Sequence, residues 1–216
     1  MNEPIAVLAG TPVDTQMGVD CLTRAGLKGL AFPVASDPLA QTAFQISPPE
    51  GKSALVGALL DRAAEQGCRR AFVYCNSLSA AVDFPPLAEE KQLRIVTPLD
   101  VYRRLAGRYR ALGVIAANAQ GLAGIERTLL AENPALRFLG AACLDAVLAV
   151  EAGEDPDALT ERLHLDIPAR WFRSCGAEAL VLGCTHFPYF REALAARTEL
   201  PLIDPAEDMI ALLRAG

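Results

Sequence analysis

Two stretches of the sequence decide its fold: Ala71-Phe-Val-Tyr-Cys-Asn-Ser77 and Ala179-Leu-Val-Leu-Gly-Cys-Thr-His186. Each begins with a short apolar run typical of a buried strand, and each run leads to a cysteine followed by small polar residues. In parallel α/β sheets, ligands bind beyond the carboxyl ends of the strands. We therefore expect Cys75 and Cys184 to lie at ligand-binding strand ends.

Short apolar runs alternate with longer amphipathic stretches along the whole chain. This alternation predicts right-handed βαβ units and an α/β fold with parallel sheets. Predicted helices include 53–65, 121–131 and 169–175. The predicted strands are 5–9, 29–34, 71–75, 93–97, 113–117, 136–141, 179–182 and 200–203.

The strands also repeat in order. Ile5-Ala-Val-Leu-Ala9 matches Leu112-Gly-Val-Ile-Ala116, and three later pairs of strands follow at nearly the same separation. Four matches in one order indicate two similar α/β halves, joined near residues 98–104. If the halves face each other about a pseudo-twofold axis, both thiols approach one cleft, which is the expected active site.

Composition excludes several classes of function. The chain has 216 residues and a formal net charge of −6 without a basic run, which argues against a nucleic-acid partner. No segment reads as a signal peptide or a membrane span, so we expect no membrane partner and a cytoplasmic location. Six cysteines without a C-x-x-C pair, and only two histidines, favour neither disulfides nor a metal site.

Two thiols suit the removal and return of a proton on a carbon next to a carboxylate. Inverting such a carbon needs a base on one face and an acid on the other, and the ordinary thiol pKa lies near neutrality. Helices are expected to begin at Asn76-Ser77 and at Thr185, where backbone N–H groups favour a thiolate or a carboxylate. His186 is placed to exchange a proton with Cys184, or else to cap the turn.

Three further residues are candidates with a structural alternative. Asp14 and Thr15 follow the first strand and are expected to reach the same cleft, although Asp14 also suits a turn or helix cap. Glu151 ends an apolar helical run, so the pattern alone favours a solvated helix end.

These residues resemble the aspartate/glutamate racemase superfamily, and within it glutamate racemase. Leu182-Gly-Cys-Thr-His-Phe-Pro188 is similar to the second-cysteine motif of that family, and Val73-Tyr-Cys-Asn-Ser77 to its first. Leu112-Gly-Val-Ile-Ala116, Val150-Glu151 and Leu202-Ile-Asp204 follow in the family's order. The family's Pro-Tyr-Gly substrate loop has no clear counterpart, which leaves the substrate open.

The resemblance implies two flavodoxin-like lobes: residues 1–98, completed by 187–216, and residues 99–186. It implies a cofactor-independent racemase, with neither pyridoxal phosphate nor a metal, acting on glutamate or aspartate in amino-acid metabolism linked to the cell wall. A homodimer is a further expectation. Cys75 and Cys184 match the acid/base pair, while Asp14, Glu151 and His186 match residues that assist the thiols. The positions that match substrate-binding residues are Thr15, Asn76, Ser77 and Thr185.

Two other functions stay open on the residues alone. One is a single-thiol decarboxylase or isomerase of a small dicarboxylate, and the other is a non-catalytic carboxylate-binding protein of the same fold. Gly51-Lys52-Ser53 is similar to the end of a phosphate-binding P-loop, but Ile46 stands where that motif requires glycine.

Overall fold

The computed structural model describes residues 3–215. The amino-terminal half contains β1 (Ile5–Ala9), α1 (Pro12–Arg24), β2 (Gly29–Pro33), α2 (Pro38–Ile46), α3 (Pro49–Glu65), β3 (Arg70–Val73), α4 (Asn76–Ala81), α5 (Phe84–Lys91), β4 (Arg94–Val96) and α6 (Pro98–Leu105). The remainder contains β5 (Ala111–Ala116), α7 (Ala119–Glu132), β6 (Arg137–Ala142), α8 (Leu144–Glu151), α9 (Pro156–Arg162), α10 (Asp166–Ser174), β7 (Ala179–Gly183), a 3₁₀ turn (Phe187–Phe190), α11 (Arg191–Ala195), β8 (Leu202–Ile203) and α12 (Pro205–Arg214).

The chain divides into two compact units. The first comprises Met1–Asp100 and Ala206–Gly216, and the second comprises Val101–Pro205. Each unit holds one parallel sheet of four strands, in the order β2-β1-β3-β4 and β6-β5-β7-β8. The identical strand order confirms the α/β fold and the repeat that the sequence predicts, and all eight predicted strands are present.

The central strands form the core of each unit. Every residue of β1, β5 and β7 is buried, because helices cover both faces of a parallel sheet. The edge strands β2, β4, β6 and β8 are partly exposed. The long apolar runs that marked the central strands in the sequence are therefore a consequence of two-sided burial.

The return of the chain to the first unit occurs later than expected. The sequence prediction placed residues 187–216 in the first lobe, whereas β8 pairs with β7 and only α12 belongs largely to the first unit. Two arginines of the first sheet fix α12 there. Arg70 donates to the carbonyl of Leu213 at 3.2 Å, and Arg94 donates to that of Leu212 at 2.5 Å. Cations at the last carbonyls of a helix are favourable because these oxygens have no partner within the helix.

Within residues 3–215, no helix combines the length and the apolar character needed to cross a membrane.

Candidate active site

The first cysteine sits at a strand-to-helix junction. Cys75 follows β3 and is the N-cap of α4, with an extended backbone (φ −164°). Its Sγ accepts a hydrogen bond from the backbone N–H of Leu78 at 3.4 Å, as an N-cap side chain does. The thiol is buried, so its protonation depends on the groups that surround it.

Two glutamines of α2 surround this thiol, and the sequence analysis missed both. Gln41 Nε2 donates to Cys75 Sγ at 3.0 Å and to Ser77 Oγ at 3.3 Å. Gln45 Nε2 donates to the same Ser77 oxygen at 2.8 Å. Their spacing of four residues places both amides on one face of the helix. The pair Asp37-Pro38, an N-cap followed by proline at the first helical position, was the signal available for α2.

Asp14 takes part in a capping box at the start of α1. Thr11 is the N-cap, and its hydroxyl accepts from the backbone N–H of Asp14 at 3.3 Å. The Asp14 carboxylate accepts in return from the backbone N–H of Thr11 at 2.6 Å and of Gly10 at 3.2 Å. The expected structural role of Asp14 is therefore present, and its carboxylate is buried at the carboxyl end of β1, the strand next to β3.

The expected substrate-binding positions of the first unit are buried near this carboxylate and thiol. Thr15 follows Asp14 in α1, and its hydroxyl donates to the carbonyl of Thr11 at 2.5 Å. Asn76 and Ser77 form the first turn of α4, directly after Cys75. Their position confirms the predicted helix start at Asn76-Ser77.

The second cysteine has a different neighbour. Cys184 follows β7 and is buried, and its Sγ lies 3.6 Å from Nδ1 of His186. The other ring nitrogen, Nε2, lies 3.0 Å from Oε1 of Glu151 at the end of α8. His186 is 2% exposed and the Glu151 side chain 16%. The structure thus brings Cys184, His186 and Glu151 together, and the solvated helix end that the pattern favoured for Glu151 is wrong.

The contact with Glu151 favours one tautomer of a neutral His186, in which Nδ1 presents a lone pair to the sulfur. A carboxylate can only accept, so Glu151 holds the proton on Nε2 of His186, and the neutral ring then presents an unprotonated Nδ1 to Cys184. Nδ1 can accept the thiol proton, and the carboxylate stabilises the imidazolium that forms. The three side chains form a relay able to change the charge of Cys184.

No α-helix begins at Thr185, contrary to the sequence prediction. A 3₁₀ turn starts at Phe187 with Pro188 inside it, and α11 follows only at Arg191. A helix N-terminus consequently does not polarise Cys184. The Thr185 side chain is buried, directly after Cys184.

A buried tyrosine near Cys184 was also missed by the sequence analysis. Tyr102 is fully buried in the second unit. Burial first, and then the negative charges of Asp204 and Cys184, raise the pKa of the Tyr102 phenol well above its ordinary value. Tyr102 therefore stays neutral, and an uncharged phenol contributes a dipole rather than a charge to the surroundings of Cys184.

The other four cysteines differ in their burial. Cys21 and Cys68 are buried, whereas Cys143 and Cys175 are half-buried; all six cysteines are free thiols. Desolvation, followed by the nearby charge of Glu3, raises the pKa of Cys68. In the described part of the chain, no three His, Cys, Asp or Glu residues are grouped in a way that could hold a metal ion.

Comparison with known proteins identifies relatives of the chain. It is 27% identical over 168 residues to a glutamate racemase of Fusobacterium nucleatum. This match covers 72% of this chain and 60% of that protein. It is 32% identical over 147 residues to a glutamate racemase of Thermus thermophilus, covering 66% of this chain and 52% of that protein. The chain thus spans between about half and three-fifths of the length of these relatives. No family model matches it.

A solved structure shares the fold. The crystal structure of glutamate racemase from Francisella tularensis in complex with D-glutamate superposes with a TM-score of 0.74 at 18% identity. The match covers 99% of this chain and 80% of that one. At this identity the likeness establishes a common fold.

Proposed function

We propose that this chain, a relative of the glutamate racemases within the aspartate/glutamate racemase superfamily, inverts the α-carbon of glutamate or aspartate without a cofactor. One observation carries the proposal: a buried thiol follows the equivalent strand, β3 or β7, in two sheets of identical strand order. A two-base racemase needs one such group on each face of the carbon, and the reverse reaction exchanges their roles. The relatives' names supply glutamate as a substrate, and the resemblance to the aspartate/glutamate racemase superfamily adds aspartate.

The proposed reaction exchanges one proton for another. A thiolate removes the α-hydrogen, which breaks the C–H bond and converts that sulfur to S–H. The second cysteine, present as a thiol, delivers its proton to the opposite face of the same carbon and becomes the thiolate. In the reverse direction Cys75 and Cys184 exchange roles. The weakly acidic α-proton also demands strong stabilisation of the negative charge that develops on the carbon.

We assign His186 and Glu151 to the proton balance of Cys184. His186 Nδ1 accepts the thiol proton when this sulfur must act as base, and returns it when the sulfur must act as acid. Glu151 keeps the ring in the required tautomer. Asp14, at the end of β1, is assigned to assist Cys75. General acid–base catalysis of this kind contributes roughly 10²–10⁴-fold to a rate.

Short polar side chains are assigned to the substrate's charged groups. Thr15, Asn76, Ser77 and Thr185 are buried at the two strand ends and carry hydroxyl or amide groups. Thr185 directly follows Cys184, as Asn76 directly follows Cys75, so each thiol has a side chain beside it that can donate a hydrogen bond to a carboxylate. Hydrogen bonds of this kind hold a carboxylate in one orientation, which the two-sided chemistry requires.

Deuterium exchange tests the proposal directly. The protein is incubated in D₂O with L- or D-glutamate, L- or D-aspartate, and a panel of small amino acids, and the α-carbon is followed by NMR. We expect α-deuteration with loss of optical purity, and no racemisation by Cys75→Ala or Cys184→Ala. The fold is checked by circular dichroism.

The alternatives give different results in the same experiment. Ligand-induced thermal stabilisation without any α-deuteration would indicate a carboxylate-binding protein. Conversion of a dicarboxylate that survives loss of one thiol would indicate a single-thiol decarboxylase or isomerase. The expected homodimer and cytoplasmic location are separate predictions, tested by analytical ultracentrifugation and by cell fractionation.

A further inference from the structure

The carboxamide of Gln41 contacts the reacting atom of the first unit. We propose that Gln41 stabilises Cys75 as a thiolate by donating its Nε2–H to the sulfur. The catalytic meaning of this assignment rests on the proposed function, in which a thiolate at Cys75 removes the α-hydrogen. The hydrogen bond itself is testable without turnover.

The hydrogen bonds described for the Cys75 sulfur involve an amide side chain, a backbone N–H and a hydroxyl. Gln41 Nε2 lies 3.0 Å away, the backbone N–H of Leu78 lies 3.4 Å away, and Ser77 Oγ lies 3.5 Å away. The Ser77 oxygen already accepts from Gln41 and Gln45, so its own proton is left for the sulfur. Donors that converge on one atom favour its negatively charged form. A buried site strengthens them because water does not screen them.

Hydrogen bonds at both ends of α2 hold this helix in place, and the helix in turn positions the carboxamide of Gln41. At the start of α2, the Asp37 carboxylate accepts from the backbone N–H of Leu39 and of Ala40. At its end, the buried Lys52 donates from Nζ to the carbonyl of Gln45 at 3.0 Å. Lys52 thus has a structural role in positioning the two glutamines rather than the phosphate-binding role considered for Gly51-Lys52-Ser53.

A glycine provides the space that the carboxamide occupies. A Cβ atom added at Gly10 would lie 1.9 Å from both Cδ and Nε2 of Gln41, and 2.2 Å from its Oε1. The amide therefore crosses directly over the backbone at the end of β1 on its way to Cys75. Any side chain at Gly10 must displace it, which gives a second and independent way to remove the donor.

The experiment measures how fast Cys75 reacts with iodoacetamide as a function of pH. Trypsin cleaves after Arg70 and Lys91, and the resulting peptide contains Cys75 as its single cysteine, so mass spectrometry reports this thiol alone. The midpoint of the pH profile reports the thiolate, whereas the plateau reports access and intrinsic reactivity. No racemase turnover is needed.

We expect Gln41→Leu to raise the midpoint by about one to two pH units, the equivalent of one hydrogen bond to a charged group. Gln41→Glu should raise it further, because a carboxylate replaces the donor at nearly the same size. Gly10→Ala should also raise it, although it changes no polar side chain. The matched controls are Gln16→Glu on the surface of α1, and Gly51→Ala, where an added Cβ meets open space. Both should leave the midpoint unchanged.

Two outcomes overturn the inference. An unchanged midpoint with a higher plateau would mean that Gln41 merely covers the thiol. A lower midpoint in Gln41→Leu would mean that the amide oxygen faces the sulfur. If one Gln41 variant does not fold, the other and Gly10→Ala still decide the question. A raised midpoint with no α-deuteration by the unmodified chain would refute the proposed function while leaving the Gln41 assignment intact.

Discussion

Replacing Glu151 with glutamine removes the negative charge beside His186 and keeps the side chain nearly the same size. The carboxylate oxygen lies 3.0 Å from Nε2 of His186, whose other nitrogen lies 3.6 Å from Cys184. The amide oxygen of glutamine can still accept from Nε2, so the ring can keep its orientation. The variant therefore isolates the charge that stabilises the imidazolium formed when Cys184 gives up its proton.

The size of the effect follows from the two kinds of hydrogen bond. A hydrogen bond to a charged group contributes about 1.5–3 kcal/mol, and one between neutral groups about 0.5–1.5 kcal/mol. The difference, roughly 1–1.5 kcal/mol, is about a tenfold loss in rate. Because His186 is buried and Glu151 partly so, the expected loss in kcat/KM is at this level rather than at the much smaller level of a surface pair.

The assay measures racemisation of both enantiomers by polarimetry or by chiral separation. Because two enantiomers have equal free energies, kcat/KM must fall by the same factor from either side, which provides an internal check. Glu154→Gln is the matched control: it lies three residues further along the chain and pairs with Arg162 at the surface. It should change kcat/KM by less than about twofold, since such pairs contribute little. A Glu151→Gln variant as active as the unmodified protein would refute the relay.

Further predictions concern stability. Thr11→Ala removes the buried N-cap of α1 and should cost about 1–2 kcal/mol in thermal or denaturant unfolding, while Thr23→Ala on the exposed side of α1 should cost less. The backbone N–H of Ala40 first, and then Ser36, lower the pKa of Asp37 below its ordinary value of 3.8. Asp37 therefore stabilises the fold above that pH and loses its contribution as the pH falls through the lowered value, so the Tm difference between the unmodified protein and Asp37→Asn should vanish in acid. Gly113→Ala would place a Cβ 2.6 Å from the Phe172 ring and should cost about 1–3 kcal/mol, part of which the added change Phe172→Leu should restore.

The fold could be predicted from the sequence because each central strand is buried on both faces. Such strands must be continuously apolar, and this signal does not depend on distant residues. The return to the first unit could not be located in the same way. It depends on β8 pairing with β7 and on Arg70 and Arg94 reaching the carbonyls at the end of α12, and none of these contacts leaves a local pattern.

Site residues that come directly after a strand could be predicted from the sequence, whereas those that reach the site through contacts between distant segments could not. The two cysteines come directly after β3 and β7, so their placement follows from the strand assignment. Glu151 is 35 positions from His186 in sequence, and its helical pattern favoured the solvent-exposed interpretation. Gln41 reaches Cys75 from α2 across 34 positions. Thr185 was assigned to a helix start because the analogy with Asn76 ignored the 3₁₀ turn that Pro188 enters.

Equivalence in the fold does not make the two thiols chemically equivalent. The hydrogen bonds described around Cys75 involve neutral amide and hydroxyl groups, and the carboxylate assigned to assist it, Asp14, accepts from the backbone N–H groups of Gly10 and Thr11. Beside Cys184 stands an imidazole held by a carboxylate, which can take up charge as the sulfur releases its proton. On the proposed mechanism, one enantiomer meets a preformed thiolate at Cys75. The other reacts only when Cys75 has taken up a proton, so that it can act as the acid, and Cys184 has released its own proton to His186. The two enantiomers are therefore expected to differ in kcat and in KM, although kcat/KM is the same for both. Gln41→Leu should reduce the difference in kcat between the enantiomers, because Cys75 is then no longer favoured as the thiolate.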